Sequence, residues 1–478
     1  MELKTTRCWE AGDQVPGEPE SVDLESVTGT IHFIGIGGIG MSALARLLLA
    51  RGQKVSGSDK EGNKSIDELR DMGATIFIGH DAKNIDGAGL IAVSTAITDA
   101  NQELAAARTR GLKVLHRSDI LRGLTKTKKV VAVSGTHGKT TTTGMVAQVF
   151  MDNGTEPEVV VGGIFSRIGS NSYAGKGEYF IAEADESDRT HAKMNSFIAV
   201  VTNIEPDHLE NYPGGMQEIC ENMISFANRA TQAVVLCIDD AGCRSIMDRL
   251  KTRVVTYGTK EKYPNADYSY ESTRGGLRVF SKGKALGDIT LAVPGEHNKM
   301  NALAAIAVAM ESGLPFAKSA EALSSFGGVA RRFQLIGIKS GITVVDDYGH
   351  HPTEVRATLQ AARQYISKPE NNVQRVVAIF QPHQPGRLRD LWDDFTTAFD
   401  EADLVLLADV YIARGGQIEG INSERFAAAC TNKNMKHLAG ATAQLAAQAR
   451  PHLRQGDLVL TIGAGDITRV GPELLKLL

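Results

Sequence analysis

The run Gly135-Thr136-His137-Gly138-Lys139-Thr140-Thr141 has the residue types that grip a phosphate chain. It follows the apolar β-type run Val130-Val131-Ala132-Val133-Ser134 and precedes a helix-compatible stretch. Glycines let successive backbone N–H groups curl around phosphate oxygens, and a helix start adds partial positive charge. Lys139 brings a point charge to the outer phosphates, and the Thr140 hydroxyl is suited to ligate magnesium. The spacing is compressed. Only Thr136 and His137 separate Gly135 from the Gly-Lys pair, and Val133 stands where the usual pattern has its first glycine. With a strand before it and threonines after it, the run favours nucleoside triphosphate binding over a plain turn.

A second glycine cluster follows the strand-like Ile31-His32-Phe33-Ile34. Gly35, Gly37 and Gly40 fit G-x-G-x-x-G, with Gly38 and Ile39 inside the turn, and Met41-Ser42-Ala43-Leu44-Ala45 opens an apolar helix. Asp59, after the next strand, lies near the distance at which an acidic residue bonds a ribose. Alone, this pattern admits NAD, another pyrophosphate ligand or close strand–helix packing. Together, a pyrophosphate site and a triphosphate site suggest a nucleotide-linked substrate processed at the expense of ATP.

Further polar residues stand where strands are expected to end, the place where ligands collect in open α/β sheets. Tyr179-Phe180-Ile181-Ala182 runs into Glu183-Ala184-Asp185-Glu186-Ser187-Asp188, and residues 197–201 run into Thr202-Asn203-Ile204-Glu205-Pro206-Asp207-His208. Glu183 and His208 are candidates to complete a magnesium shell, His208 through water, since magnesium favours oxygen. Asn298, before an alanine-rich helix, has the donor and acceptor an adenine edge needs, whereas Asn301 can equally cap that helix. Arg332 can stabilise phosphate charge, Asp347 can hold a ribose, and His350 can lie near reacting groups; a salt-bridged hinge is the bland alternative. Residues 380–383 with Arg387 and Arg389, and residues 463–466, either face an incoming acceptor or form turns.

The elements that must position these residues alternate short β-rich runs with amphipathic stretches, the pattern of an α/β fold with a largely parallel sheet. At 478 residues the chain is too long for one core, and three consecutive domains are expected. Residues 1–28 read as a mobile tail and 29–124 as a Rossmann-like unit with strands near 31–35, 54–58, 74–78, 89–93 and 112–115. Residues 125–330 read as a central phosphate-loop unit with a β-like insertion at 267–293 and a helix at 298–311. Residues 331–478 form the last Rossmann-like unit, with strands near 342–346, 375–380, 403–408 and 457–462. A net charge of −4 argues against a dedicated nucleic-acid or anionic-membrane binder. Five scattered cysteines read as reduced thiols, and neither a signal peptide nor a membrane span is visible, so a cytoplasmic protein is expected.

Gly-Thr-His-Gly-Lys-Thr-Thr, Glu-Ala-Asp-Glu-Ser-Asp, Thr-Asn-Ile-Glu-Pro-Asp-His, His-Asn-x-x-Asn and Asp-Asp-Tyr-Gly-His-His-Pro, in this order, resemble the Mur ligases of peptidoglycan synthesis. The N-terminal Gly-Ile-Gly-Gly-Ile-Gly-Met-Ser-Ala-Leu-Ala is similar to that of the alanine-adding branch. The resemblance covers the chain from about Gly29 to its end. It implies a UDP-sugar domain, a central ATPase domain and a C-terminal domain admitting the amino acid. The implied substrates are UDP-N-acetylmuramate, L-alanine and ATP, with magnesium. It carries phosphate binding onto residues 135–141, magnesium onto Thr140, Glu183 and His208, adenine onto Asn298, and nucleotide contacts onto Arg332 and Asp347. Several relatives have a carbamylated lysine about fifteen residues past the histidine; here that region is Glu221-Asn222-Met223, as in alanine-adding members. Gln384 replaces a common second arginine, leaving Arg387 and Arg389 for the acceptor. Three competing readings are a family member attaching a preformed peptide, an NAD-dependent oxidoreductase, and a nucleotide-gated binding protein without catalysis. Closure is expected to hinge near 121–128 and 329–332.

Overall fold

The computed structural model describes residues 23–413 and 416–478, so the expected tail falls largely, at 1–22, outside the described residues. From Asp23 the chain makes a turn that buries Leu24. Two compact units result: Leu291–Met300 belongs with Phe326–Leu478, and Asn301–Ser325 belongs with the chain before it up to Thr290. Among the described residues no helix is long and apolar enough to cross a membrane.

The first unit holds two sheets. β1 (Thr30–Ile34), β2 (Val55–Asp59), β3 (Thr75–Ile78), β4 (Ala88–Val93) and β5 (Lys113–His116) form a parallel sheet in the order β3-β2-β1-β4-β5. The order reverses between β1 and β4, and the glycine turn after β1 opens at that switch point, where ligands bind in such sheets. Behind it lies a polar knot. Glu103, fully buried in the first turn of helix Gln102–Thr109, accepts from Ser58, from Asn84 at 2.6 Å, and stands 3.3 Å from His80 Nδ1 and 3.7 Å from His32.

Burial alone would raise the Glu103 pKa, but the bonds from His32, Ser58 and Asn84 outweigh it and hold it at about 2. A depressed carboxylate contributes stability above its unfolded value of 4.5 that is lost as pH falls toward 2. Glu103→Ala, which strands these partners, is expected to cost about 3 kcal/mol in denaturant unfolding and to flatten the acid limb between those pH values. A variant with wild-type stability and acid profile would contradict this.

The second sheet has ten strands: β6 (Lys129–Ser134), β7 (Glu158–Phe165), β8 (Ser170–Tyr173), β9 (Tyr179–Glu183), β10 (Ser196–Val201), β11 (Ala230–Cys237), β12 (Val254–Thr259), β13 (Tyr268–Thr273), β14 (Gly276–Ser281) and β15 (Lys284–Thr290). Their order is β15-β14-β13-β12-β11-β10-β6-β9-β7-β8. β6 lies between β10 and β9, parallel to both, with Val133 beside Glu183 and Ser134 beside Val201. All three strands therefore end on one edge. The expected insertion is the antiparallel set β13–β15.

The second unit is built on β16 (Gln334–Lys339), β17 (Ile342–Asp347), β18 (Arg375–Phe380), β19 (Leu404–Ala408), β20 (Met435–Leu438) and β21 (Asp457–Ile462), ordered β16-β17-β21-β18-β19-β20. Only β16 runs antiparallel. Apolar clusters cover both faces, so the inner strands are continuous Val/Ile/Leu runs. The strands not foreseen, β8, β16 and β20, all lie at sheet edges.

Candidate active site

The phosphate loop turns sharply off the end of β6. Gly135 has φ +129°, and a Cβ there would come within 2.2 Å of Thr202 Oγ1. Gly138, at φ +79°, starts helix Lys139–Asp152 with Asn301 Oδ1 pressed against it. Asn301 accepts from Thr142 Oγ1 at 3.1 Å from within helix Glu296–Glu311, so it is a support of the loop and not the cap that the sequence allowed. The amides of Thr136 and His137 are already used: they donate to Asn203 O at 3.1 Å and to Asn203 Oδ1 at 2.7 Å. The amides of the first helical turn, from Lys139 onward, have no intrahelical acceptor and point out of the helix start.

The turn after β9 brings the acidic run to this loop. Thr140 Oγ1 donates to Glu183 Oε1 at 3.1 Å, and Glu183 Oε2 accepts from Gly162 N at 2.7 Å. Lys139 Nζ donates to Gly135 O at 2.8 Å, Thr136 O at 3.0 Å and Glu186 Oε1 at 2.9 Å. Burial opposes the lysine charge, but Glu186, Asp185 and Glu183 outweigh it and raise its pKa. Burial likewise pushes Glu186 up to about 7 even beside Lys139. His208, in the left-handed region at φ +53°, holds its Nε2 3.5 Å from Asp207 and 4.0 Å from Glu186. Thr140 and Glu183 offer a hydroxyl and a carboxylate, oxygen donors of the kind magnesium accepts, and His208 an imidazole that would reach such an ion only through water. Sequence reasoning missed Glu186 as the lysine's partner; the four-carboxylate run signalled a site without saying which member meets Lys139.

The N-terminal glycine turn is shaped by the acidic residue expected to serve it. Gly37 N donates to Asp59 Oδ2 at 2.9 Å, while Asp59 Oδ1 accepts from Lys60 N at 2.8 Å. Gly38 caps helix Ile39–Ala50 without a side-chain bond, leaving first-turn amides for an anion. Half-exposed Ile39 borders the turn, and a Cβ on Gly40 would strike Arg117 Nη1 at 2.4 Å. Arg117 donates to Asp188 Oδ2 at 2.8 Å and Asp185 Oδ2 at 3.0 Å, joining the glycine turn to the acidic loop beside Lys139. It too was missed, although a basic residue directly after a strand was its signal.

In the second unit, Asp347 at the end of β17 is an internal tie. Its Oδ1 accepts from Gly349 N and Thr358 Oγ1, its Oδ2 from Phe333 N at 2.8 Å, and burial raises its pKa. Arg332 lies over the Tyr348 ring, 5.1 Å from its centroid, and 3.8 Å from Glu354. Asn298, 5% exposed, donates from Nδ2 to Pro294 O at 2.6 Å in the first turn of its helix. His350 packs against Tyr348 and His383, His383 stacks on Tyr411, and Arg387 Nη1 reaches His383 Nδ1 at 3.4 Å. Arg389 stands apart, exposed and paired to Asp390.

A glycine-rich turn after β1, a phosphate loop after β6 with a carboxylate at its threonine, and a further mostly parallel sheet fit a nucleotide-dependent enzyme. Family models match all three parts: the Mur ligase family catalytic domain at residues 30–129, the Mur ligase middle domain at 133–309, and the Mur ligase glutamate ligase domain at 331–465. The chain belongs to the Mur ligase family, whose members are ATP-dependent ligases. It is 43% identical over 460 residues to the UDP-N-acetylmuramate–L-alanine ligase of Pelobacter propionicus, covering 94% of this chain and 98% of that one. The enzyme of that name from Geobacter sulfurreducens is 43% identical over 457 residues, 93% of this chain and 96% of its own. A crystal structure of UDP-N-acetylmuramate-alanine ligase MurC from Thermotoga maritima superposes with a TM-score of 0.80 at 31% identity, over 94% of this chain and 99% of that chain. A murein peptide ligase from Psychrobacter arcticus, 22% identical with a TM-score of 0.69, shares the fold.

Proposed function

We propose that the protein joins L-alanine to the lactyl carboxylate of UDP-N-acetylmuramate at the expense of ATP, a cytoplasmic step of peptidoglycan precursor synthesis. What carries the reading is the loop at the end of β6, with Thr140 and Glu183 in hydrogen-bond reach beside Lys139, in a chain whose full-length relatives bear that name.

An amide does not form from a carboxylate and an ammonium at neutral pH, because oxide is a poor leaving group and the amine is protonated. A carboxylate oxygen attacks the γ-phosphorus of ATP, and ADP departs to leave an acyl phosphate. The free amine of L-alanine then attacks the carbonyl carbon, and inorganic phosphate leaves with the electron pair of the broken C–O bond. Little covalent work falls to the protein, so positioning and charge stabilisation dominate. Gly135, Thr136, His137, Gly138, Thr140 and Thr141 shape and line the phosphate cradle, and Lys139 balances the phosphoryl charge. Thr140 and Glu183, with His208 through water, would hold magnesium, which would supply further charge neutralisation there. Gly37, Gly38, Ile39 and Gly40 accept the pyrophosphate of the sugar nucleotide, and Asp59 its ribose. By motif position, Asn298 serves adenine, Arg332 and Asp347 the nucleotide, and His350 and Arg387 the acceptor side. Arg389, exposed and paired to Asp390, is a further acceptor-side candidate. The domain reading assigns 29–124 to the UDP-sugar, 125–330 to ATP and 331–478 to the amino acid.

A nicotinamide reading of the first glycine turn predicts a different ligand. Calorimetric titration of the full chain is expected to show UDP-N-acetylmuramate binding and none for NAD. Tight NAD binding without measurable affinity for the sugar nucleotide would overturn the assignment.

A further inference from the structure

The starts of β6 and β10 lie at the end of the second sheet opposite the phosphate loop, roughly 15–20 Å away along the strands. A cavity of about 360 Å³ opens there, and no step of the ligase reaction uses it. Four cationic side chains line it: Arg122 in helix Arg117–Thr125, Lys126 and Lys128 in the connector after it, and Lys129 at the start of β6. No carboxylate lines it among the described residues. Part of this charge is balanced from outside the cavity, since Lys128 lies 3.1 Å from Glu158 and Lys129 2.9 Å from Glu178. Exposed Lys126 makes no ion pair among the described residues.

One polar group that lines the cavity is unsatisfied among the described residues, and a second belongs to a residue bonded to the lining residue Asn195. Ser196 is 3% exposed, its carbonyl accepts from Thr231 Oγ1 at 3.4 Å, and its own Oγ has no partner among the described residues. A further cation, Arg229, reaches the lining residue Asn195 at 3.5 Å, and its buried Nε also lacks a partner among the described residues. Leaving such groups bare costs stability, and in native proteins an unsatisfied group of this kind calls for an explanation such as a missing ion or ligand. Phe197 provides an apolar wall beside them.

We propose that this cavity is a binding site for a small phosphorylated molecule of at least two negative charges, separate from the reaction site. Its size is at the lower end of small-molecule pockets, enough for a diphosphate or a compact sugar phosphate. Arginine and lysine together give forked and point-charge contacts to phosphate oxygens, and the Ser196 hydroxyl can donate to one of them. A ligand there would tie helix Arg117–Thr125 to the starts of β6 and β10, across the connector between the two sheets of the first unit.

Hydrogen exchange on the full chain with inorganic pyrophosphate, in magnesium-free buffer, locates the binding directly. The expected result is slowed exchange at residues 122–130 and 195–197, besides any effect at the phosphate loop. In Arg122→Gln with Lys126→Gln the first effect is expected to need about tenfold more pyrophosphate or more, from the loss of two charge-assisted contacts. The far-UV circular dichroism and thermal unfolding midpoint of that variant should match wild type, which shows that it is folded. Protection confined to residues 135–141 and the N-terminal glycine turn would overturn the proposal. So would unchanged protection of 122–130 in the double variant.

Discussion

Lys139→Ala is expected to lower turnover by a hundredfold or more while leaving UDP-N-acetylmuramate affinity within about twofold of wild type. The lysine lies at the first position of its helix, against the carbonyls of Gly135 and Thr136, and on the proposed reading it faces the negative charge that gathers on a transferring phosphoryl group. Its Nζ lies 2.8 Å from Glu186 Oε2, and that pair must open or be shared when phosphate arrives. Removing the lysine strands a buried carboxylate, but Glu186 already has its pKa near 7 and can take a proton, so folding should survive. Steady-state kinetics with a parallel sugar-nucleotide titration check both halves. Near wild-type ligase activity in this variant would remove the loop from the mechanism.

Glu183→Gln is expected to raise the magnesium concentration for half-maximal activity by about tenfold or more, and to depress kcat more than ATP binding. The substitution is nearly isosteric: a glutamine oxygen can still accept from Gly162 N, so the loop keeps its shape while the charge beside Thr140 disappears. His208→Ala should shift the same titration in the same direction but less, because its imidazole stands near Asp207 and Glu186 and would reach the ion only through water. Magnesium titrations that coincide with wild type for both variants would return these residues to the role of a plain acidic surface loop.

Much of this architecture is legible in the chain itself. The central strands β1, β6, β10, β18 and β21 are mostly apolar runs because both their faces are buried, so they stand out at once. The edge strands do not. β8 reads Ser-Asn-Ser-Tyr, and β16 leaves Leu335 and Ile338 more than half exposed, so neither carries the signature of burial. Glycine turns and polar residues at strand ends are likewise legible, and the Thr140–Glu183 contact follows once β9 pairs with β6. Contacts set by the path of a turn were not legible. The four-carboxylate run after β9 does not reveal that Glu186, three residues beyond Glu183, is the one that meets Lys139. Nor does a local reading show that Asn203 consumes two loop amides, or that Arg117 crosses from another sheet to Asp185 and Asp188. Asn301 looked like a cap because helix starts are judged locally, whereas its helix begins at Glu296.

The most direct test is ADP release by the full-length protein with ATP, magnesium, UDP-N-acetylmuramate and single amino acids in turn. The expected result is release that requires both the sugar nucleotide and L-alanine, with one amide-linked product formed per ADP. Release that ignores L-alanine but follows addition of a preformed peptide, or no release under any combination, would contradict the account.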